Sequence, residues 1–199
     1  MKILIPILSL WILFSLSTAR AENEHVHGLE LEAESYSSDS LYLTESEWTS
    51  SNGQKLRLSE LRGRPQLIAL FYASCESACP AIVDAMKKVE HSIPREQANA
   101  LGFVLVTFDH SGDTPTVLGA YAKKRGLGKN WTLLQGSEAD TRELAVLLGS
   151  KFKKIGPSNF AHTNLIALLD EEGRIAARAK ALSELEMLIV EVQKLLRPH

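Results

Sequence analysis

The chain is poor in cysteine: Cys75 and Cys79 are its only two among 199 residues. A disulfide-stapled scaffold is therefore disfavoured, because such secreted frameworks carry four or more cysteines. A bridge between positions so close in sequence would also constrain the unfolded chain only modestly. Long hydrophobic runs are lacking as well. The longest, at 3–16, is about 14 residues and contains Pro6, short of the roughly 20 that a membrane-spanning helix needs. Neither sign of charge dominates, since the formal net charge is -2, which argues against binding nucleic acid. Internal repeats and low-complexity blocks are absent too, so the chain reads as one ordinary globular domain with enough residues to bury a core.

The amino terminus carries a different signal. Lys2, the apolar run and the small residues Ala19 and Ala21 form the pattern of a secretory signal peptide over 1–21 with an A-x-A cleavage site. The expectation is export across the inner membrane and a periplasmic location, with an uncleaved membrane anchor as the alternative. No cysteine stands near the cleavage site, so a lipid anchor is not expected. Removal of Lys2 and Arg20 makes the mature chain slightly more acidic. Residues 22–40 are polar and lack apolar periodicity, which predicts a flexible lead-in, and the domain proper spans 41–199.

Along that domain, the segments 41–43 and 55–58 flank Asn52-Gly53, a strong turn signal, and predict an opening β-hairpin. The apolar runs QLIALFY at 66–72 and FVLVTF at 103–108 predict buried strands. Pro80 fits the first turn of a helix, and Ile82, Val83, Met86 and Val89 continue it to about His91. Helices are expected at 116–125, opened by Asp113-Thr114-Pro115, and at 138–148. Strands are expected at 165–169 and 175–179 around a turn, and a terminal amphipathic helix over 183–196 with Ser183 as its cap. The resulting order of hairpin, β, α, β, α, α, β, β, α matches an α/β thioredoxin-like sandwich with a central mixed sheet. In such folds reactive groups collect at the carboxyl ends of central strands, where Cys75 falls.

Cys75-Glu76-Ser77-Ala78-Cys79-Pro80 follows the first buried strand directly. Residues four apart on one helical face have β-carbons about 5–6 Å apart, so both sulfurs can reach one ion, and the same separation also permits a disulfide. The helix amino terminus beside Cys79 is expected to favour the thiolate. Copper(I) is soft and suits thiolates, while zinc normally wants four ligands. His162, in a loop expected to feed the strand at 165–169, is the best candidate for a third donor. The bland alternatives are a histidine satisfied by backbone hydrogen bonds and two inert buried thiols. An exposed loop position and an oxidising compartment count against burial of the pair.

Three segments in order, FYASCESACP, VTFDHSGDTP and FAHTNLIALLDEEGR, resemble the Sco/SenC family of copper-binding, thioredoxin-like proteins over about 41–178. The resemblance implies a metallochaperone that binds copper, as Cu(I) and in some states Cu(II), through Cys75, Cys79 and His162. It also implies a role in assembling the copper site of a respiratory enzyme such as cytochrome c oxidase, with a thiol reductant as a further partner. Two positions depart from the family pattern. Ala161 stands where many members place an Asp before the histidine. Loss of such an outer carboxylate can change affinity by roughly 10- to 100-fold, which bears on Cu(II) binding. Glu76 stands where proline is common, and its carboxylate is expected to oppose thiolate formation nearby.

Other residues carry weaker signals. Asp109 and Asp113 either support the cysteine loop or shape the strand end, with Asp113 or Thr114 capping the helix after Pro115. His110 reads as a surface histidine, and His25 and His27 belong to the lead-in. Met86, Trp131 and Phe152 read as packing residues. Lys123-Lys124-Arg125 and the segment 151–154 offer either a docking face for an acidic partner or a solvated surface. The competing function is a periplasmic thiol-disulfide oxidoreductase in which Cys75 attacks and Cys79 resolves. In that enzyme His162 is dispensable. Oxidoreductases of this fold carry C-x-x-C, so the extra residue here favours metal binding. A peroxidase lacks an evident activating arginine, since Arg62 and Arg64 lie upstream.

Overall fold

The computed structural model describes residues 37–76, 78–156, 159–180 and 182–197. The expected signal peptide, its cleavage site and nearly all of the lead-in lie outside the described residues, as do His25 and His27. Among the described residues no helix is long and apolar enough to cross a membrane.

The elements run β1 (Glu47–Ser50), β2 (Lys55–Arg57), β3 (Gln66–Phe71), α1 (Ala78–Ser92), β4 (Gly102–Thr107), α2 (Pro115–Arg125), β5 (Trp131–Gln135), α3 (Glu138–Leu148), β6 (Phe152–Lys154), β7 (Phe160–His162), β8 (Leu165–Leu169), β9 (Ile175–Lys180) and α4 (Leu185–Leu195). One mixed sheet has the order β2-β1-β5-β4-β3-β8-β9, and β6 and β7 form a separate two-stranded ribbon. β3, β4 and β5 are parallel neighbours, while β8 runs antiparallel to β3 and β9 antiparallel to β8. Every residue of β3, β4 and β8 is buried. A strand covered on both faces must read as a continuous apolar run, which is why these three segments were visible in the sequence. The fold is the expected thioredoxin-like α/β sandwich.

Helix ends follow local chemistry. Thr114, not Asp113, caps α2, accepting the Val117 N–H, with Pro115 in the first turn. Ser137 caps α3 by accepting from Asp140 N–H. Both helices stop at a glycine with left-handed backbone, Gly126 at φ 61° and Gly149 at φ 76°, a conformation that side-chain-bearing residues resist.

Four expectations need correction. The hairpin turns at Asn52-Gly53, but its first arm is Glu47–Ser50, while Leu41–Leu43 is a 3-10 turn capped by Ser40. That segment alternates like a strand, yet Leu41 and Tyr42 are both buried at 3% exposure. A strand, Trp131–Gln135, lies between α2 and α3 where two successive helices were expected. It is required because parallel neighbours are joined by a crossover, and α2 is the crossover from β4 to β5. The expected loop before β8 contains the β6–β7 ribbon, so His162 ends a strand. Finally, α4 begins at Leu185 after a 3-10 turn at Leu182–Glu184, and no side-chain hydrogen bond caps it.

Candidate metal centre

β3 delivers the chain to a turn that holds Cys75, and Cys79 lies in the first turn of α1. The pair therefore does not share a helical face as expected. Cys75 precedes the helix, and its sulfur accepts the Cys79 N–H at 3.4 Å. Cys75 itself is fixed by donating its N–H to the Tyr72 carbonyl at 3.3 Å.

His162 arrives from the opposite side. The β6–β7 ribbon pairs Phe152 with His162, and the imidazole Nε2 lies 3.6 Å from Cys79 Sγ, across 83 residues of sequence. Its other nitrogen, Nδ1, is 3.4 Å from the Thr163 carbonyl. A proton on Nδ1 donated to that carbonyl leaves the Nε2 lone pair facing the sulfurs. Ala161, exposed on the same strand, offers no carboxylate to this nitrogen. An aromatic wall steadies the ring. Phe108 lies 5.1 Å from it and Tyr72 meets it edge-on at 6.2 Å, while Phe152 stacks on Phe108 at 5.0 Å and 13°.

The three donor atoms, two sulfurs and one imidazole nitrogen, all lie within 4.8 Å of one another, and no other such group occurs among the described residues. Both cysteines are free thiols and both are buried, Cys75 at 8% exposure and Cys79 at 0%. The expectation of an exposed pair is thus corrected, and so is that of a readily ionised Cys79. Burial pushes the Cys79 thiol well above the ordinary range, and the neighbouring Cys75 adds to the rise, while a backbone contact from Tyr72 opposes it. The helix amide that would stabilise a thiolate is given to Cys75. Glu76 is exposed. Two inert core thiols do not account for an imidazole aimed at them.

The aspartates support the site from behind. Asp113, 2% exposed, accepts the Ala73 N–H at 2.8 Å and the Thr107 hydroxyl at 2.5 Å, tying the start of the cysteine turn to the end of β4. Burial raises its pKa, the nearby Asp109 adds to this, and the two hydrogen bonds oppose it. Asp109 accepts from the Ser111 hydroxyl and Gly112 N–H, both at 3.1 Å. His110 sits at the surface, 3.8 Å from Glu138. Met86 is fully buried, and Trp131 stacks on Phe103 at 4.7 Å, so both serve packing. Arg125 pairs with Asp84 at 2.5 Å, while Lys123, Lys124, Lys151, Lys153 and Lys154 are exposed. The residue that sequence reasoning passed over is Tyr72. Its signal was a polar-tipped aromatic directly after the apolar run of β3, three positions before the first cysteine.

Comparison with known proteins places these features among relatives. A family model described as SCO1/SenC matches residues 36–197. A protein of Stutzerimonas stutzeri named "Putative copper-binding protein" is 25% identical over 146 residues, 71% of each chain. The structure of Bradyrhizobium japonicum ScoI with copper bound superposes with a TM-score of 0.65 at 22% identity, covering 76% of this chain and 97% of that one. BsSco, described as having a disulfide switch and as a member of the Sco family of cytochrome c oxidase assembly proteins, gives a TM-score of 0.65 at 20% identity, covering 76% and 92%.

Proposed function

The chain belongs to the SCO1/SenC family, and on that premise we propose that it is a copper-binding assembly factor of the periplasm that holds Cu(I) through Cys75, Cys79 and His162. The copper is cargo. The observation that carries the reading is the convergence of two sulfurs and one imidazole nitrogen within 4.8 Å from separate elements of the fold. Two thiolates and an imidazole form a soft, low-coordinate donor set that suits Cu(I) better than hard cations.

The chain's own residues divide the work. Cys79 is sealed inside and anchors the site, and its thiol must give up a proton when metal enters. Cys75 is slightly exposed, and His162 is half-buried on a ribbon outside the main sheet, so these two face the route of exchange. A recipient's donor replacing His162 or Cys75 would move the ion by stepwise ligand exchange, leaving no need for turnover chemistry. The recipient in this reading is a copper subunit of a respiratory enzyme such as cytochrome c oxidase. It is supported by family membership and by the description of BsSco. Export by the amino-terminal signal belongs to the same proposal.

X-ray absorption at the copper edge of the Cu(I)-loaded protein tests it. Two sulfur scatterers and one nitrogen scatterer are expected, with the nitrogen lost in His162→Ala and one sulfur lost in each Cys→Ser variant. Oxygen-dominated coordination that is indifferent to these changes would sink the reading.

A further inference from the structure

The β6–β7 ribbon that carries His162 is basic, although the chain as a whole has a formal net charge of -2. Residues 144–169 hold three lysines, Lys151, Lys153 and Lys154, and no Asp or Glu. All three are exposed. Several other surface cations are neutralised by an acid, as Lys55 is by Glu47, Arg174 by Asp170 and Lys194 by Glu191. None of the ribbon's lysines forms an ion pair among the described residues. Glu138, on the neighbouring α3, is already held by Arg142 at 2.6 Å, whose guanidinium lies 5.1 Å over the Phe152 ring.

Strand pairing fixes how these charges are set out. Cross-strand partners share one face of a ribbon, and successive residues alternate between faces. Phe152 pairs with His162 and Lys154 with Phe160, so these four belong to the face that meets Phe108. The Lys154 amine sits at the margin of that face, 5.6 Å over the Phe160 ring. Lys153 pairs with Ala161, and Lys151 accepts the Thr163 N–H at 2.8 Å, which puts these residues on the opposite face. Lys151, Lys153 and Ala161 are exposed there. Two lysines two residues apart on a strand stand about 7 Å from each other, the repeat of alternate side chains in any extended segment. Ile155, 64% exposed, adds an apolar contact where the strand ends.

The geometry points to the outer face of this ribbon as the docking surface for an acidic, extended segment of the recipient protein. This inference rests on the copper reading above and deepens it by naming the partner's chemistry. Carboxylates on alternate residues of such a segment match the spacing of Lys151 and Lys153, and Lys154 flanks them. Complementary charge around a site raises association rates by about 10- to 1,000-fold. Docking on the ribbon brings the incoming donor to His162, the half-buried ligand, and not to the sealed Cys79. A membrane surface fits less well, since anionic headgroups are read by clusters of roughly 4–8 basic residues, and three lysines with one isoleucine fall short.

The test uses two synthetic acceptor peptides with the same pair of cysteines, one flanked by glutamates and the other by glutamines. In the first arm the peptide cysteines are replaced by serine, and binding to the reduced, copper-free protein is followed by amide chemical shifts. In the second, stopped-flow measures Cu(I) transfer from the loaded protein to each cysteine peptide. Wild type is compared with the triple variant Lys151→Gln, Lys153→Gln, Lys154→Gln and with a control, Lys123→Gln, Lys124→Gln. The glutamate peptide should shift residues 151–155 and 159–163, and at low salt it should take copper about 10-fold faster than the glutamine peptide. Both effects should vanish in the triple variant and persist in the control, while Cu(I) affinity stays unchanged in both. Salt repeats the test without any substitution, because at about 1 M the screening length falls to about 3 Å and the preference should disappear. Equal transfer to both peptides by wild type, or a preference that survives in the triple variant, would overturn the docking face and leave the copper site standing. Lysine-dependent binding to phosphatidylcholine–phosphatidylglycerol vesicles, with no shift from the glutamate peptide, would overturn it in favour of a membrane. Shifts at the ribbon in a protein that holds no copper through Cys75, Cys79 and His162 would uphold the acidic-segment surface and refute the copper reading.

Discussion

Removing the Asp113 carboxylate should loosen the cysteine turn by a calculable amount. In Asp113→Ala the Ala73 N–H and the Thr107 hydroxyl lose their acceptor at a site only 2% exposed. A buried donor left without a partner costs about 1–3 kcal/mol. Two of them, less the relief of removing a buried carboxylate, give a net loss of about 2–4 kcal/mol. For a domain of this size each kcal/mol is worth roughly 2–4 °C, so the melting temperature should fall by roughly 5–15 °C. The pH dependence is the sharper check. The folded-state pKa of Asp113 is raised above its ordinary value of 3.8, chiefly by burial. The folded protein therefore holds this proton to higher pH than the unfolded chain does. The penalty of the ionised carboxylate is present at neutral pH and is relieved as the pH falls through the raised value. Wild type gains this relief and the alanine variant cannot. The gap in melting temperature should widen from pH 7 downward and level off below about 3.8. Calorimetry of both proteins across that range decides the matter. A gap that shrinks on acidification would mean the ionised form is the favoured one, and the account of Asp113 would be refuted.

Other perturbations probe the remaining parts. Because burial holds the Cys79 proton far above the usual thiol range, copper uptake should release a proton even in mild alkali. Competition titrations should show Cu(I) affinity still climbing past pH 9, where an ordinary thiol near 8.5 would have levelled off. Gly136→Ala would place a β-carbon 2.5 Å from the buried Trp48 ring, and overpacking of this kind should cost about 1–3 kcal/mol by denaturant unfolding with copper binding retained. Met86→Ala empties a fully buried position on the inner face of α1. It should cost about 2–5 kcal/mol, and a loss under 1 kcal/mol would show that the helix repacks.

What the sequence discloses depends on where the determining interaction lies. β3, β4 and β8 are buried on both faces, so their own residues announce them. α2 and α3 carry their stop and start signals locally in Thr114, Ser137, Gly126 and Gly149. β5 was missed because Trp131–Gln135 is short and partly polar, and the argument for it is topological: a parallel neighbour of β4 must follow α2. β6 and β7 are three residues each, FKK and FAH. Nothing in either segment alone specifies a strand, and the ribbon exists through pairing across the gap and the stacking of Phe152 on Phe108. The site shows the same division. Cys75 and Cys79 were visible by scarcity and position, and His162 by pattern. The depth of the cysteines, 8% exposed for Cys75 and 0% for Cys79, was not, because burial depends on how elements distant in sequence pack around the turn. Tyr72 and Asp113 take their meaning only from partners brought together by the fold, such as the His162 and Phe160 rings for the first and the Ala73 N–H for the second.

The central claim is a three-donor copper site, and its most direct test is affinity. The fully reduced mature protein is titrated with Cu(I) against a competing chelator, alongside Cys75→Ser, Cys79→Ser and His162→Ala. One ion per chain bound tightly by wild type, with affinity lost in all three variants, is the expected result. Weak binding by wild type, or tight binding that His162→Ala leaves unchanged, would contradict it.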